Sequence, residues 1–222
     1  MRSMRRRRVL GVILVLFLLL GGAGAYGVRV WSEGQKYIIT DDAQVKGKPI
    51  PVSAPASGKL VDWKAKVGET VDKDVILGEV ELPPGPTGAG VTVPVVMPER
   101  ATIVSDSAVP GTMVGAGMPL AEAFDFDDLW IEAMVKESDL AAVKIGSRAE
   151  VTVDAFPGRT FVGRVAEIGL YTADVFSLLP DTNRTSGNYT KVEKRIPVKI
   201  RLDGKPGVRL IPGLNAAVRI AR

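Results

Sequence analysis

Residues 55–79 of this 222-residue chain return, without a gap, 43 residues further on. Pro55, Val61, Gly68, Val71, Leu77 and Glu79 come back as Pro98, Val104, Gly111, Val114, Leu120 and Glu122. Leu60 is answered by Ile103, and Val67 by Pro110. Such a repeat restricts the fold severely. A unit this small cannot bury its own apolar face, whereas two copies facing each other can close a flattened β-sandwich. The pattern reads as short strands separated by turns, with Leu60 and Val61 in one strand, Val71 opening the next and Leu77 another. Gly68 and its counterpart Gly111 are the turn glycines, placed where the chain needs positive φ. The expected sandwich covers residues 38–125, with halves 51–81 and 94–125 joined by 82–93.

Beyond the repeat the period becomes strictly two. Leu129, Ile131, Ala133 and Val135 alternate with Trp130, Glu132 and Met134, and Ala149, Val151 and Val153 alternate with Glu150, Thr152 and Asp154. Ile196, Val198, Ile200 and Leu202 follow the same rule, as do Leu214, Ala216, Val218 and Ile220. Each run predicts a half-buried strand, and Phe161–Ile168 predicts another. Pro197 is expected at an edge or a bulge. Ser138–Val143 reads as a short helix with Ser138 near its cap and Gly146 beyond its end. With 24 glycines and 15 prolines recurring between these runs, residues 126–222 are expected to form a small β-barrel with one short helix. A long loop spans 171–190. The fold class is therefore mainly β.

The first 30 residues differ from the rest. Five arginines stand among residues 2–8, followed by an uncharged run from Val9 to Val28. A helix of that length spans roughly 30 Å, the thickness of a bilayer's hydrocarbon. Residues 1–30 thus read as a cytoplasmic basic tip and a single-pass transmembrane anchor, with the remainder outside by the positive-inside rule. Tyr26 and Trp31 suit the outer interface. Ala23-Gly24-Ala25 also fits a signal-peptide cleavage site, so anchor and cleaved leader both remain open. Either way the body is exported. The formal charge of +4 belongs to the arginine cluster, and the rest of the chain stands at −1. A nearly neutral body is not a nucleic-acid binder.

Neither cysteine nor histidine occurs. That excludes disulfides, a Cys/His zinc site and catalysis by either residue type. A serine hydrolase would need a Ser–Lys pair, and no convincing motif supplies one. The acid pairs Asp41/Asp42 and Asp127/Asp128 suit turns better than calcium or acid–base chemistry. The Asn183-Arg184-Thr185 and Asn188-Tyr189-Thr190 triplets match the glycosylation pattern, which chance meets easily. No enzyme, cofactor or metal site is expected. The apolar run Val175-Phe176-Ser177-Leu178-Leu179-Pro180, inside the long loop, is the candidate contact surface. Phe176, Leu178 and Leu179 either cap the open barrel end or touch a partner.

Ser57-Gly58-Lys59-Leu60-Val61, Val67-Gly68-Glu69-Thr70-Val71 and Ile76-Leu77-Gly78-Glu79-Val80 resemble the first half of a biotinyl/lipoyl domain, and residues 95–124 resemble its second half. Carriers of biotin or lipoate place their lysine on the joining hairpin. Here no lysine stands between Lys73 and Lys136, which speaks against a carrier. Thr40-Asp41-Asp42-Ala43-Gln44-Val45, Trp130-Ile131-Glu132-Ala133, Lys144–Val151, Phe161–Val165 and Lys191–Val198 through Ile211–Leu214 resemble segments of HlyD/EmrA-type membrane fusion proteins. That resemblance covers about residues 38–222. It implies a membrane-anchored, oligomerising adaptor beside an integral-membrane exporter of the major-facilitator or ABC type, serving efflux or multidrug export. Most of the family inserts a long α-helical hairpin between the lipoyl halves, and this chain has only Leu82 to Val93. Contact with an outer-membrane channel is therefore not expected, and a host without an outer membrane, or a shortened extracellular adaptor, fits better. The other reading is an exported cell-envelope binding module that acts without a transporter.

Overall fold

A computed structural model describes residues 36–84, 90–172, 193–204 and 207–222. The predicted N-terminal span therefore lies outside the described residues. Among those described, no helix is long and apolar enough to cross a membrane. The elements run β1 (Tyr37–Ser53), β2 (Gly58–Trp63), β3 (Thr70–Val71), β4 (Ile76–Glu81), β5 (Thr92–Val96), β6 (Ala101–Asp106), β7 (Met113–Val114) and β8 (Pro119–Lys136). A 3-10 helix (Glu137–Ala142) follows, then β9 (Arg148–Val153), β10 (Thr160–Ile168), β11 (Arg195–Leu202) and β12 (Asn215–Ala221).

The repeat folds into two interlocked halves. One sheet is β5-β4-β2-β7, and the facing one joins β3 and β6 to the adjoining ends of β8 and β1. The offset of the sequence is also the offset of the register. Lys59↔Glu81, Leu60↔Val80, Asp62↔Glu79 and Trp63↔Gly78 in the first half become Thr102↔Phe124, Ile103↔Ala123, Ser105↔Glu122 and Asp106↔Ala121 in the second, with the same irregularity after the second pair. Each half lends its turn to the other. Gly68 donates its N–H to the Ile103 carbonyl at 2.8 Å, and Gly111 donates to that of Leu60 at 2.6 Å. Both glycines sit at φ +89°, where a Cβ would crowd the backbone. Leu60, Val80, Met97, Ile103 and Ala123 are fully buried between the sheets. The pseudo-twofold relation brings Trp63 to its own counterpart, and its indole N–H donates to the Asp106 carboxylate at 3.0 Å.

The second body is a closed barrel of six strands, ordered β1-β12-β9-β10-β11-β8 and shut by pairing of β1 with β8. Its inward residues are those of the predicted alternation, with Ile131, Ala133, Val135, Ala149, Val151, Val153, Val198, Ile200, Val218 and Ile220 all at 0% exposure. The first half of β1 pairs with β12, from Tyr37↔Ala221 to Gln44↔Asn215. Residues 37–45 thus stand in the barrel wall, a stretch that the sequence reading groups largely with the sandwich.

One local expectation is corrected. The expected short helix is present as a 3-10 helix that starts at Glu137 and buries none of its own residues, but it has no side-chain cap. Ser138 spends its hydroxyl on Glu193 instead. Pro197 stands at a local edge, as expected. Its β11–β8 register is unbroken from Arg195 to Ile200, but on the other side it lies just past the end of the β10 ladder. The proline fits because β10 pairs with β11 only from Val198 onward. Past that point the Pro197 carbonyl accepts from Gly169 at 2.8 Å.

Strands β1 and β8 belong to both bodies. They lie antiparallel from Ala43↔Ala133 to Ser53↔Pro119 and break register once between the bodies, where Gly47 faces Leu129 and Pro49 faces Phe124. The segment Asp125–Asp128 bulges out of β8 there. A side chain on Gly47 would strike Leu129 at 2.7 Å, which accounts for a glycine at the crossing.

Candidate functional site

The barrel has two unlike mouths. One abuts the sandwich. At the other, β1 begins, β12 ends, β9 begins, β10 ends, β11 begins and β8 ends. Val143, just past the 3-10 helix, is 5% exposed and closes the core from this side. The chain leaves this rim after β10 through Leu170 and Tyr171 and returns to it at Glu193. The candidate contact residues Phe176, Leu178 and Leu179 belong to the intervening segment, outside the described residues. The structure nevertheless fixes both flanks of their loop on the rim where Tyr37 enters.

Polar clasps hold the rim together. Glu137 donates its N–H to the Lys194 carbonyl at 2.9 Å, and Arg222 donates its own to that of Lys36 at 3.1 Å. Ser138 Oγ donates to Glu193 Oε1 at 2.6 Å, and Lys136 Nζ lies 3.2 Å from Glu193 Oε2. The Ser138 hydrogen bond, followed by the one from Lys136, holds the Glu193 carboxyl below the ordinary carboxylate range. A depressed folded-state value means the clasp is fully formed above that range and is lost as pH falls through the lowered value. In a carboxyl-carbon NMR titration Glu193 should show a midpoint below that of an unpaired glutamate. Ser138→Ala should move that midpoint back up. An unmoved midpoint would remove the hydroxyl as its cause.

The acid pairs, expected in turns, instead lie within β1 and β8, at their register irregularities. Asp42 is bridged by Arg195. Asp128 lies 3.2 Å from Arg201, and Arg100 reaches Asp127 at 3.8 Å and Asp72 at 3.0 Å. Among the described residues no group of three acidic side chains could hold a metal. Gly68 and Gly111 are turn residues that knit the halves together.

A cleft that the sequence did not suggest opens where barrel meets sandwich, with a volume of about 660 Å³. Phe126, Leu129, Leu202 and Leu210 supply its apolar lining, and the Arg209 guanidinium lies 4.6 Å over the Phe126 ring. The available signal was the run Asp125-Phe126-Asp127-Asp128, which interrupts the alternation of β8.

Comparison with known proteins adds family information to this geometry. A family model described as "CusB-like, beta-barrel domain" matches residues 128–222. The putative efflux system component YhbJ of Bacillus subtilis is 38% identical over 213 residues, covering 96% of this chain and 90% of that protein. The multidrug export protein EmrA of Escherichia coli is 36% identical over 104 residues, which make up 46% of this chain and 26% of that protein. The crystal structure of MacA from Actinobacillus actinomycetemcomitans shares the fold, with a TM-score of 0.63 at 12% identity over 84% of this chain and 80% of that one. The chain thus spans most of YhbJ but only about a quarter of EmrA.

Proposed function

This chain belongs to the membrane fusion protein family of efflux adaptors, and we propose that it is the membrane-anchored, non-enzymatic adaptor subunit of an export pump. The observation that carries the proposal is the likeness to YhbJ, because it runs through sandwich and barrel alike rather than through one shared module. Multidrug-export relatives and adaptor structures support the same role.

In this reading the run from Val9 to Val28 crosses the membrane, the arginine tip stays in the cytoplasm and the two β-bodies stand outside. The rim that receives Tyr37 faces the membrane, and the sandwich points away from it. The loop containing Phe176, Leu178 and Leu179 starts and ends on that same rim, within reach of an integral-membrane exporter of the major-facilitator or ABC type. Several copies of the adaptor surround the exit path. The short connection from Leu82 to Val91, closed by the Leu82 N–H to Val91 carbonyl bond at 2.9 Å, takes the place of a projecting helical hairpin. The role is therefore to shape or stabilise an exit near the membrane, for small molecules, rather than to bridge to a distant channel.

Detergent extraction of native membranes, followed by tagged pull-down and mass spectrometry, tests this. An exporter should co-purify, and the chain should keep Arg2 to Arg8. Replacing Phe176, Leu178 and Leu179 together by serine should lose most of the exporter while the β-bodies stay folded by circular dichroism. A soluble chain that starts near Tyr26 and comes down alone would instead support a secreted envelope-binding module.

A further inference from the structure

We infer that the barrel rim carrying Ile145 and Leu170 rests directly on a lipid surface, so that the adaptor has a second, peripheral membrane contact beside its anchor. The inference rests on the anchored reading above. It starts from chain length. The uncharged run ends at Val28 and β1 begins at Tyr37. Nine peptide steps, even fully extended, reach no further than about 32 Å. The rim is tethered within that distance of the bilayer interface, and any slack in the tether brings it closer.

The chemistry of the rim matches that position. Ile145 is 71% exposed and Leu170 fully exposed, and on the outer face of the entering strand Ile39 is 65% exposed. None of these is needed to fill the core, since Val143 already closes it from this side. Ile145 stands in the turn before β9, which is held by the Gly146 N–H to Val165 carbonyl bond at 2.7 Å and the Val165 N–H to Ser147 carbonyl bond at 3.0 Å. A polar residue would serve that turn equally well. Leu170 directly follows Gly169, whose N–H is tied to Pro197. Both side chains are therefore carried on backbone fixed to the barrel. Where β1 enters the same rim, Tyr37 lies under the Arg219 guanidinium at 4.9 Å. An aromatic ring paired with a long basic side chain suits the boundary between headgroups and hydrocarbon. The opposite mouth is covered by the sandwich, so only this rim is available to a flat surface.

Because the chain has no cysteine, single substitutions report one site each. Ile145→Cys and Leu170→Cys, in the full-length chain, are labelled with a nitroxide and reconstituted into phosphatidylethanolamine–phosphatidylglycerol vesicles with no other protein present. Val67→Cys and Met113→Cys on the sandwich are the controls, since their 62% and 68% exposure in the folded chain resembles that of Ile145. Collision with oxygen, which concentrates in lipid, and with a water-soluble nickel chelate is read by electron paramagnetic resonance. The rim labels should show severalfold less chelate access than the controls, together with raised oxygen access. Equal chelate access at all four sites in vesicle-bound protein overturns the inference and leaves the anchor intact. Low access to both reagents at the rim also overturns it, in favour of cover by the chain's own 173–192 segment. Protein that fails to float with the vesicles overturns the anchor, and this contact with it.

Discussion

Ile103→Ala should lower the unfolding free energy by about 2–5 kcal/mol, and Leu60→Ala should cost nearly the same. The two side chains are fully buried and stand at equivalent positions of the repeat. Their carbonyls accept the N–H groups of Gly68 and Gly111, one from each opposite half. Each truncation removes three carbons from a place where neighbouring strands are locked from both sides, so the cavity cannot collapse cheaply. Urea or guanidinium denaturation of the two variants measures both. A cost below about 1 kcal/mol for one and above about 3 for the other would show that the halves are alike in backbone only.

Gly163→Ala is expected to cost about 3 kcal/mol, at the upper end of overpacking penalties. A Cβ built there meets the Arg201 carbonyl oxygen at 2.5 Å, the Ile200 side chain at 3.1 Å and the Arg201 carbonyl carbon at 3.2 Å. Gly163 pairs with Ala149 on one side and Leu202 on the other. In a closed barrel, displacing β10 from β11 pushes it into β9. Gly68→Ala is the useful contrast. Its φ of +89° carries a backbone cost of about 1–2 kcal/mol, but beyond its own chain neighbours no atom lies within 4 Å of the added methyl. The same denaturation experiment should therefore rank Gly163→Ala above Gly68→Ala. The opposite order would mean that β10 yields where the packing says it cannot.

Most of this architecture was legible because side-chain period reports strand faces directly. The inward residues of β8, β9, β11 and β12 were readable as alternation, and the ungapped 43-residue offset was readable as a second copy of the same register. The sixth barrel strand was harder to see for a physical reason. Along β1 the buried residues are Ile38 and Thr40, then Ala43 and Val45. The register shift between Thr40 and Ala43 breaks the period of two in the middle of the strand. Periodicity also says nothing about pairing partners, so it could not show β1 divided between two bodies. The short helix after β8 was legible, but Ser138 does not cap it, because that hydroxyl is taken by a residue 55 positions away. Pro197 suggested an edge because proline lacks a donor, and the shear of β10 against β11 supplies a place where none is needed. The cleft beside Phe126 depends on a bulge whose only trace is a cluster of acids around that residue. The loop bearing Phe176, Leu178 and Leu179 was legible as a candidate from its composition, and the barrel topology adds only where its two ends stand.

The continuity of β1 and β8 through both bodies has a mechanical consequence. A pull on the chain at Tyr37 acts along β1, parallel to its neighbours β12 and β8. When it is resisted from the sandwich end, it loads the cross-strand hydrogen bonds in shear rather than peeling them one by one. A load applied at that end is carried through the barrel wall into the sandwich along an unbroken peptide path, with the Asp125–Asp128 bulge at the joint between the two bodies. Rotation of one body against the other can be taken up there without parting either ladder.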